Sequence, residues 1–139
     1  MFKILKLNHI AIACKSTDSL LHFYKTVLKL KVSEKLPQPD HGVYTSFVSF
    51  PNSSTQIELL EPLGDESPIA KFVQKSDGAI HHFCFDVDNL EAALNHVRKL
   101  GVTPLGKDPK IGAHGNPVIF LHPRDCLGIL TELEQFPTR

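Results

Sequence analysis

With 15 basic and 15 acidic residues in 139, the chain has no formal net charge, which excludes the basic excess of a nucleic-acid-binding surface. Its length and 42% apolar content suit one domain with a real core, and no apolar run approaches membrane-spanning length. Three widely spaced cysteines, Cys14, Cys84 and Cys126, fit neither a disulfide framework nor a zinc ribbon. They read as small, buried or half-buried residues in a reducing cytosol. Residues 1–6 run directly into the first strand with no signal-peptide pattern. A cytoplasmic protein is expected, or a mitochondrial matrix one if an organellar leader has been removed.

Residues 7–13 alternate as a strand. Ser16, Thr17 and Asp18 offer helix N-caps, and Leu20, Phe23, Tyr24, Val27 and Leu28 follow at helical spacing. Residues 31–36 predict a short strand, and Pro37, Pro39, Asp40 and Gly42 a loop. Residues 43–50 and 55–60 form a hairpin about the turn 51–54. A linker over 62–78 holds one short helix, with Ser67 as cap, Pro68 at its first position, and Ile69, Phe72 and Val73 facing inward. The order then repeats. Residues 79–87 are a strand. Asp88 or Asn89 caps a helix with the stripe Leu90, Leu94, Val97 and Leu100, closed by Gly101. Residues 102–105 are a short strand, 106–115 a loop, 116–122 a strand, 123–128 a turn and 129–135 the last strand.

The repeat organises the reading. His9 and His82 stand 73 residues apart (82 − 9), each in an apolar strand that opens its half. Glu58 and Glu132 stand 74 apart (132 − 58), each in the strand that closes its half. The expected fold is α+β: two tandem βαβββ modules, about 5–61 and 79–136, in a single 139-residue domain whose curved sheets enclose a metal-binding cleft. Strand alternation puts His82 with Cys84 and Asp86, and opposite Phe83 and Phe85, which suit packing under a helix. His9 likewise shares a face with the small Ala11 and Ala13. Two imidazoles and two carboxylates on the inner faces suit a borderline-to-hard divalent ion. A lone strand His or Glu usually has a structural role, but four positions related by one repeat point to a metal site. His22, His41 and His96 read as solvent residues and His122 as a turn residue. Gly112-Ala113-His114-Gly115 reads as a turn, or as a loop closing on a ligand.

These residues resemble the vicinal oxygen chelate (glyoxalase-like) superfamily and, within it, the methylmalonyl-CoA epimerase family. The resemblance is carried by Leu7-Asn8-His9-Ile10-Ala11-Ile12-Ala13, Ile57-Glu58-Leu59-Leu60-Glu61-Pro62-Leu63, Ser67-Pro68-Ile69-Ala70-Lys71-Phe72, His81-His82, Ile111-Gly112-Ala113-His114-Gly115 and Phe120-Leu121-His122-Pro123. It implies a divalent ion, cobalt foremost with zinc, nickel or manganese as alternatives, held by His9, His82 and Glu132 with Glu58 in the same shell. It further implies a homodimer and an acyl-CoA substrate. The reaction would be metal-dependent epimerisation of (2R)/(2S)-methylmalonyl-CoA through an enolate formed by proton removal at C2, within propionyl-CoA metabolism.

One departure bears on the chemistry. Some members carry a proposed base where this chain has Thr45, three residues after Gly42, and a threonine cannot serve as a carboxylate base. Glu132 is then expected as one base; for the second, Glu58 is the candidate and a bound water the fallback. Lys107, Lys110 and Arg124 are candidates for the phosphates of CoA, and His114 for substrate. Two alternatives stand beside this reading: a lactoylglutathione lyase with the same metal shell, and a metal-free module that sequesters a small molecule.

Overall fold

The computed structural model describes residues 1–137. Among the described residues, nine strands and three α-helices follow one another in the order β1 (Ile4–Ala13), α1 (Asp18–His22), β2 (Lys31–Val32), β3 (Leu36–Gln38), β4 (Val43–Phe50), β5 (Ser53–Pro62), α2 (Ala70–Lys75), β6 (Ala79–Val87), α3 (Leu90–Lys99), β7 (Pro104–Ile111), β8 (Pro117–Leu121) and β9 (Thr131–Gln135). The class is α+β, as expected. The chain forms two units: His9–His81, and the segment Met1–Asn8 together with the residues from His82 onward. The eight N-terminal residues thus belong with the second half of the sequence.

In the first unit the strand order is β2-β4-β5-β1, with β3 on β4. β1 and β5 run parallel, with Ala11 opposite Glu58 and Ala13 opposite Leu60. β4 and β5 are antiparallel, with Phe47 opposite Glu58 and Thr45 opposite Leu60. Residues directly opposite share a face, so His9, Ala11, Ala13, Thr45, Phe47, Glu58 and Leu60 lie on one side of this sheet. Ala11, Ala13, Val43 and Leu60 pack there with Ile69 and Val73, and Phe72 packs against them. The inward residues of the linker helix are those expected, but α2 begins at Ala70, two residues later than predicted. Pro68 lies in the preceding turn, where the backbone N–H of Ala70 donates to the Ser67 carbonyl at 3.0 Å.

The first helix departs further from expectation. After His22 it widens into a π turn over Phe23–Val27, with the Leu28 N–H donating to the Phe23 carbonyl at 3.0 Å. An i→i+5 turn shifts the phase of every later side chain. Phe23, Val27 and Leu28 are exposed, whereas Tyr24 stays half-buried.

In the second unit the order is β6-β9-β8-β7. β6 and β9 are parallel, with Cys84 opposite Glu132 and Asp86 opposite Glu134. β8 and β9 are antiparallel, with Phe120 opposite Glu132 and Val118 opposite Glu134. The opposite face carries the core: Val87, Leu90, Ala93, Leu94, Ile119, Leu121 and Leu133, with Phe85 and Phe2 packed against it. Helix α3 is capped as predicted, the Asn89 side chain accepting from the Ala92 N–H at 3.0 Å. Leu100, the last residue of the predicted stripe, follows the helix as its C-cap and is exposed. The predicted loop 106–115 is also revised. β7 runs on to Ile111 as an exposed strand, with its register interrupted between Leu105 and Lys110. Pro109 cannot donate to a ladder and Gly106 adopts φ +100°, so this stretch reads as a loop in sequence while its ends pair.

Candidate metal and substrate site

Each unit builds the same small cluster. In the first, His9 on β1 and Glu58 on β5 share a face, and His9 Nε2 lies 3.4 Å from Glu58 Oε1. In the second, His82 on β6 and Glu132 on β9 share a face, with His82 Nε2 3.2 Å from Glu132 Oε1. All four side chains are less than a tenth exposed. The backbone explains why the pairs match. Ala11 opposite Glu58 in one unit corresponds to Cys84 opposite Glu132 in the other, and each His stands two residues before the aligned position. Phe47 and Phe120 occupy equivalent places beside the two glutamates, and the Phe120 ring meets His82 edge-on at 5.1 Å. The alternation read from sequence therefore holds on both strands.

A carboxylate taken out of water needs a partner, because the desolvation of an unpaired ion costs several kcal/mol. Here each buried glutamate has an imidazole beside it. Imidazole nitrogen and carboxylate oxygen are also donors that borderline divalent ions accept. His9, His82 and Glu132 are all buried and of the types that hold a metal ion. The donor set fits the ion implied by the resemblance. The surroundings are small or non-competing: Ala11 and Ala13 beside His9, and Cys84 beside His82. The Cys84 thiol is pushed up by burial first and by the carboxylates of Glu132, Glu134 and Asp86, so it stays a neutral thiol.

Thr45 is buried on the His9/Glu58 face, next to Leu60, and brings a hydroxyl where a carboxylate base was absent in sequence. Lys110 and Lys107 lie on the exposed strand β7. Lys110 stands opposite Val118, and the Lys107 carbonyl accepts from Arg98 Nη2 at 3.1 Å. Arg124 is exposed and lies 3.9 Å from Asp125. His114 sits above the second unit's sheet, its Nδ1 3.3 Å from Glu134 Oε1, with about a quarter of its side chain open (27%).

Two buried acids were missed in the sequence reading as site residues. Asp86 is 2% exposed and Glu134 3%, and both lie on the face of His82 and Glu132. Asp86 Oδ1 accepts from Asn8 Nδ2 at 2.8 Å, and its Oδ2 lies 3.5 Å from Lys6 Nζ. Glu134 Oε2 accepts from Asn116 Nδ2 at 3.0 Å. Period-two alternation from Glu132 would have put Glu134 on the same face. The partners, at positions 8, 114 and 116, carry no sequence signal that ties them to it.

The sequence profile of the Glyoxalase/Bleomycin resistance protein/Dioxygenase superfamily matches residues 8–120. The chain belongs to this superfamily. Within it, the chain is 51% identical over 131 residues to human mitochondrial methylmalonyl-CoA epimerase, covering 94% of this chain and 73% of the relative. It is 47% identical over 132 residues to the ethylmalonyl-CoA/methylmalonyl-CoA epimerase of Cereibacter sphaeroides, covering 94% and 97%. A Streptomyces coelicolor methylmalonyl-CoA epimerase solved in complex with 2-nitronate-propionyl-CoA matches with a TM-score of 0.88 and 29% identity, covering 98% of this chain and 100% of that one. The superfamily membership agrees with the fold expected from the repeat, and enzymes of this superfamily use a divalent metal. Among the described residues no helix is long and apolar enough to cross a membrane.

Proposed function

We propose that the protein is a methylmalonyl-CoA epimerase, and that His9, Glu58, His82 and Glu132 together hold one divalent ion, cobalt foremost. The observation that carries this reading is the buried His–Glu pair recurring at one register in both units. Two relatives that match nearly the whole chain, the human and Cereibacter sphaeroides proteins, are epimerases of malonyl-type CoA thioesters.

The reaction needs a proton taken from C2 of the acyl group and one returned to the opposite face. Glu132 is assigned as the base that removes it. The C–H electron pair passes into the thioester carbonyl, giving the enolate. Glu58, its counterpart in the repeat, starts as the carboxylic acid and gives its own proton to C2 from the other side, so that the turnover ends with Glu132 protonated and Glu58 ionised, the state from which the reverse epimerisation starts. Both side chains are buried, which keeps bulk water from the two proton transfers. A bound divalent ion supplies Lewis-acid stabilisation of the charge developing on oxygen. Lys110 is assigned to the phosphates of CoA and His114 to the acyl group. The protein is assigned as a homodimer of the cytoplasm, with the mitochondrial matrix as the second compartment. Its three free cysteines fit a reducing environment.

The test is incubation of metal-loaded protein with (2R)- or (2S)-methylmalonyl-CoA in deuterated water. Label at C2 with inversion, abolished by a chelator and by Glu132→Gln, is the expected result. Unchanged exchange in Glu58→Gln removes that residue as second base. A metal-binding protein that exchanges nothing points to glutathione adducts as substrates, and one that binds no metal points to the sequestering module.

A further inference from the structure

The repeat shows what the fold itself requires, because each unit is a control for the other. Through the sheet registers, Ala11 corresponds to Cys84, Ala13 to Asp86, Thr45 to Val118 and Leu60 to Glu134. These neighbours of the His–Glu pairs all differ between the units. Three places on the same faces do not differ. They are His9 and His82, Glu58 and Glu132, and Phe47 and Phe120 (120 − 47 = 73). The architecture therefore accepts different residues around each pair, while the same aromatic ring stands opposite the glutamate in both units.

Phe120 adjoins both members of its pair. It stands directly opposite Glu132 across β8 and β9, where facing residues pack side by side. Its ring meets the His82 imidazole with centroids 5.1 Å apart and planes at 87°. That is the edge-to-face geometry in which aromatic rings attract. The contact supplies something the strand cannot. The terminal torsion of a histidine is broad and roughly two-fold, so rotamer preference alone does not fix the plane of the ring. A group packed on the ring has to do so. His82 is buried, with its Nε2 3.2 Å from Glu132 Oε1, and a flip of the ring would carry that nitrogen away from the carboxylate. A phenyl ring has no polar donor or acceptor atom. It restrains the imidazole without competing for an ion or for the carboxylate. A leucine could fill the same strand position but offers no ring to hold the imidazole plane.

We propose that Phe120 is a positioning residue that keeps His82 Nε2 turned to Glu132, the arrangement in which the two can share one ion. This deepens the reading of His82 and Glu132 as ligands and rests on it. Groups that orient a metal-ligating histidine typically change metal affinity by about 10–100-fold when removed. Such groups are usually hydrogen-bond acceptors, and here the orienting contact is a ring. Phe120 acts on how tightly and in what geometry the ion is held, before any substrate arrives. Its effect is therefore measurable on metal binding alone, apart from proton transfer.

The experiment compares Phe120→Leu, Phe120→Tyr and His82→Gln with the parent protein, each freed of metal and titrated with Co2+ against a chelator. It reads the Co2+ dissociation constant, the visible absorption of the bound Co2+ and the melting temperature without metal. Phe120→Leu is expected to weaken Co2+ binding about 10-fold or more and to change the absorption bands, whereas Phe120→Tyr, which keeps the ring, stays within about twofold of the parent. A merely structural role would move the melting temperature and leave the Co2+ spectrum alone. Parent-like affinity and spectrum in Phe120→Leu overturn the proposal, as does an equal loss in Phe120→Tyr. A second measurement needs no variant. Nuclear Overhauser contacts between the His82 and Phe120 rings of the parent protein are expected both without metal and with Zn2+. Their disappearance on Zn2+ binding overturns the proposal even if Phe120→Leu does not fold. If the parent protein binds no Co2+, or His82→Gln binds it as tightly as the parent, the ligand assignment itself is at fault and this proposal falls with it.

Discussion

The chemistry of single residues here is decided by which partner sits within reach. Lys35 illustrates this away from the site. Its Nζ donates to Asp18 Oδ1 and to Glu61 Oε1, each at 2.7 Å, and Glu61 also accepts from the Thr17 N–H at 2.8 Å. Burial lowers the Lys35 pKa, but the two carboxylates outweigh it and the net shift is upward from 10.5. The hydrogen bond from Lys35, then its charge, holds the Asp18 carboxyl below its ordinary 3.8. The signs follow by linkage. The Asp18 contribution is present above pH 3.8 and is lost as acid passes through the depressed value, whereas the Lys35 contribution is present below pH 10.5 and is lost as pH rises through the raised one. Lys35→Met should therefore reduce stability at neutral pH, with the gap to the parent protein closing as pH falls from 5 towards 2 on the order of the carboxylate range. Urea midpoints across that range check it; a gap that stays constant would mean that the Lys35 contribution is packing alone.

At the level of elements, the helices are set by a few local devices. α3 starts where Asn89 caps it, and Gln135 adds a second clamp: its Oε1 accepts from the Leu90 N–H at 2.8 Å while its Nε2 donates to the Asp88 carbonyl at 2.8 Å. The cap motif was legible in sequence; the clamp from a residue 45 positions away was not. Asn89→Ala should cost about 1 kcal/mol, the usual value for a lost N-cap, and Gln135 is expected to blunt rather than abolish the effect. Chemical denaturation measures the loss. No change would mean that Gln135 alone holds this helix start. The π turn after α1 was invisible for a related reason. Its residues carry a good helical stripe, and only the packed chain shows that the turn widens and that Phe23, Val27 and Leu28 are exposed.

At the scale of the molecule, the N-terminal segment belongs with residues from the far end of the sequence. The Lys3 N–H donates to Asp88 Oδ1 at 2.7 Å, and the Asp88 N–H returns a bond to the Lys3 carbonyl at 3.2 Å. Phe2 packs on the core of the second unit and lies 5.3 Å from the His96 ring. Phe2→Ala should destabilise the protein by about 1–2 kcal/mol, part of the value for a fully buried aromatic. Hydrogen exchange is expected to rise in α3 more than in β4 and β5. A uniform rise across both units would show that they unfold as one.

By itself the sequence determined the repeat, the α+β class, the alternation that puts each His on a face opposite its unit's large apolar residues, and hence the four candidate ligands. These follow from period-two patterning and a fixed offset, both local properties of the chain. Tertiary structure alone decided the pairings of His9 with Glu58 and of His82 with Glu132, because strand register is set by contacts dozens of residues apart. It also decided that Glu134 is buried beneath His114 rather than solvated. A glutamate in a strand carries the same local signal in either case, and burial depends on which donors the rest of the fold brings to it.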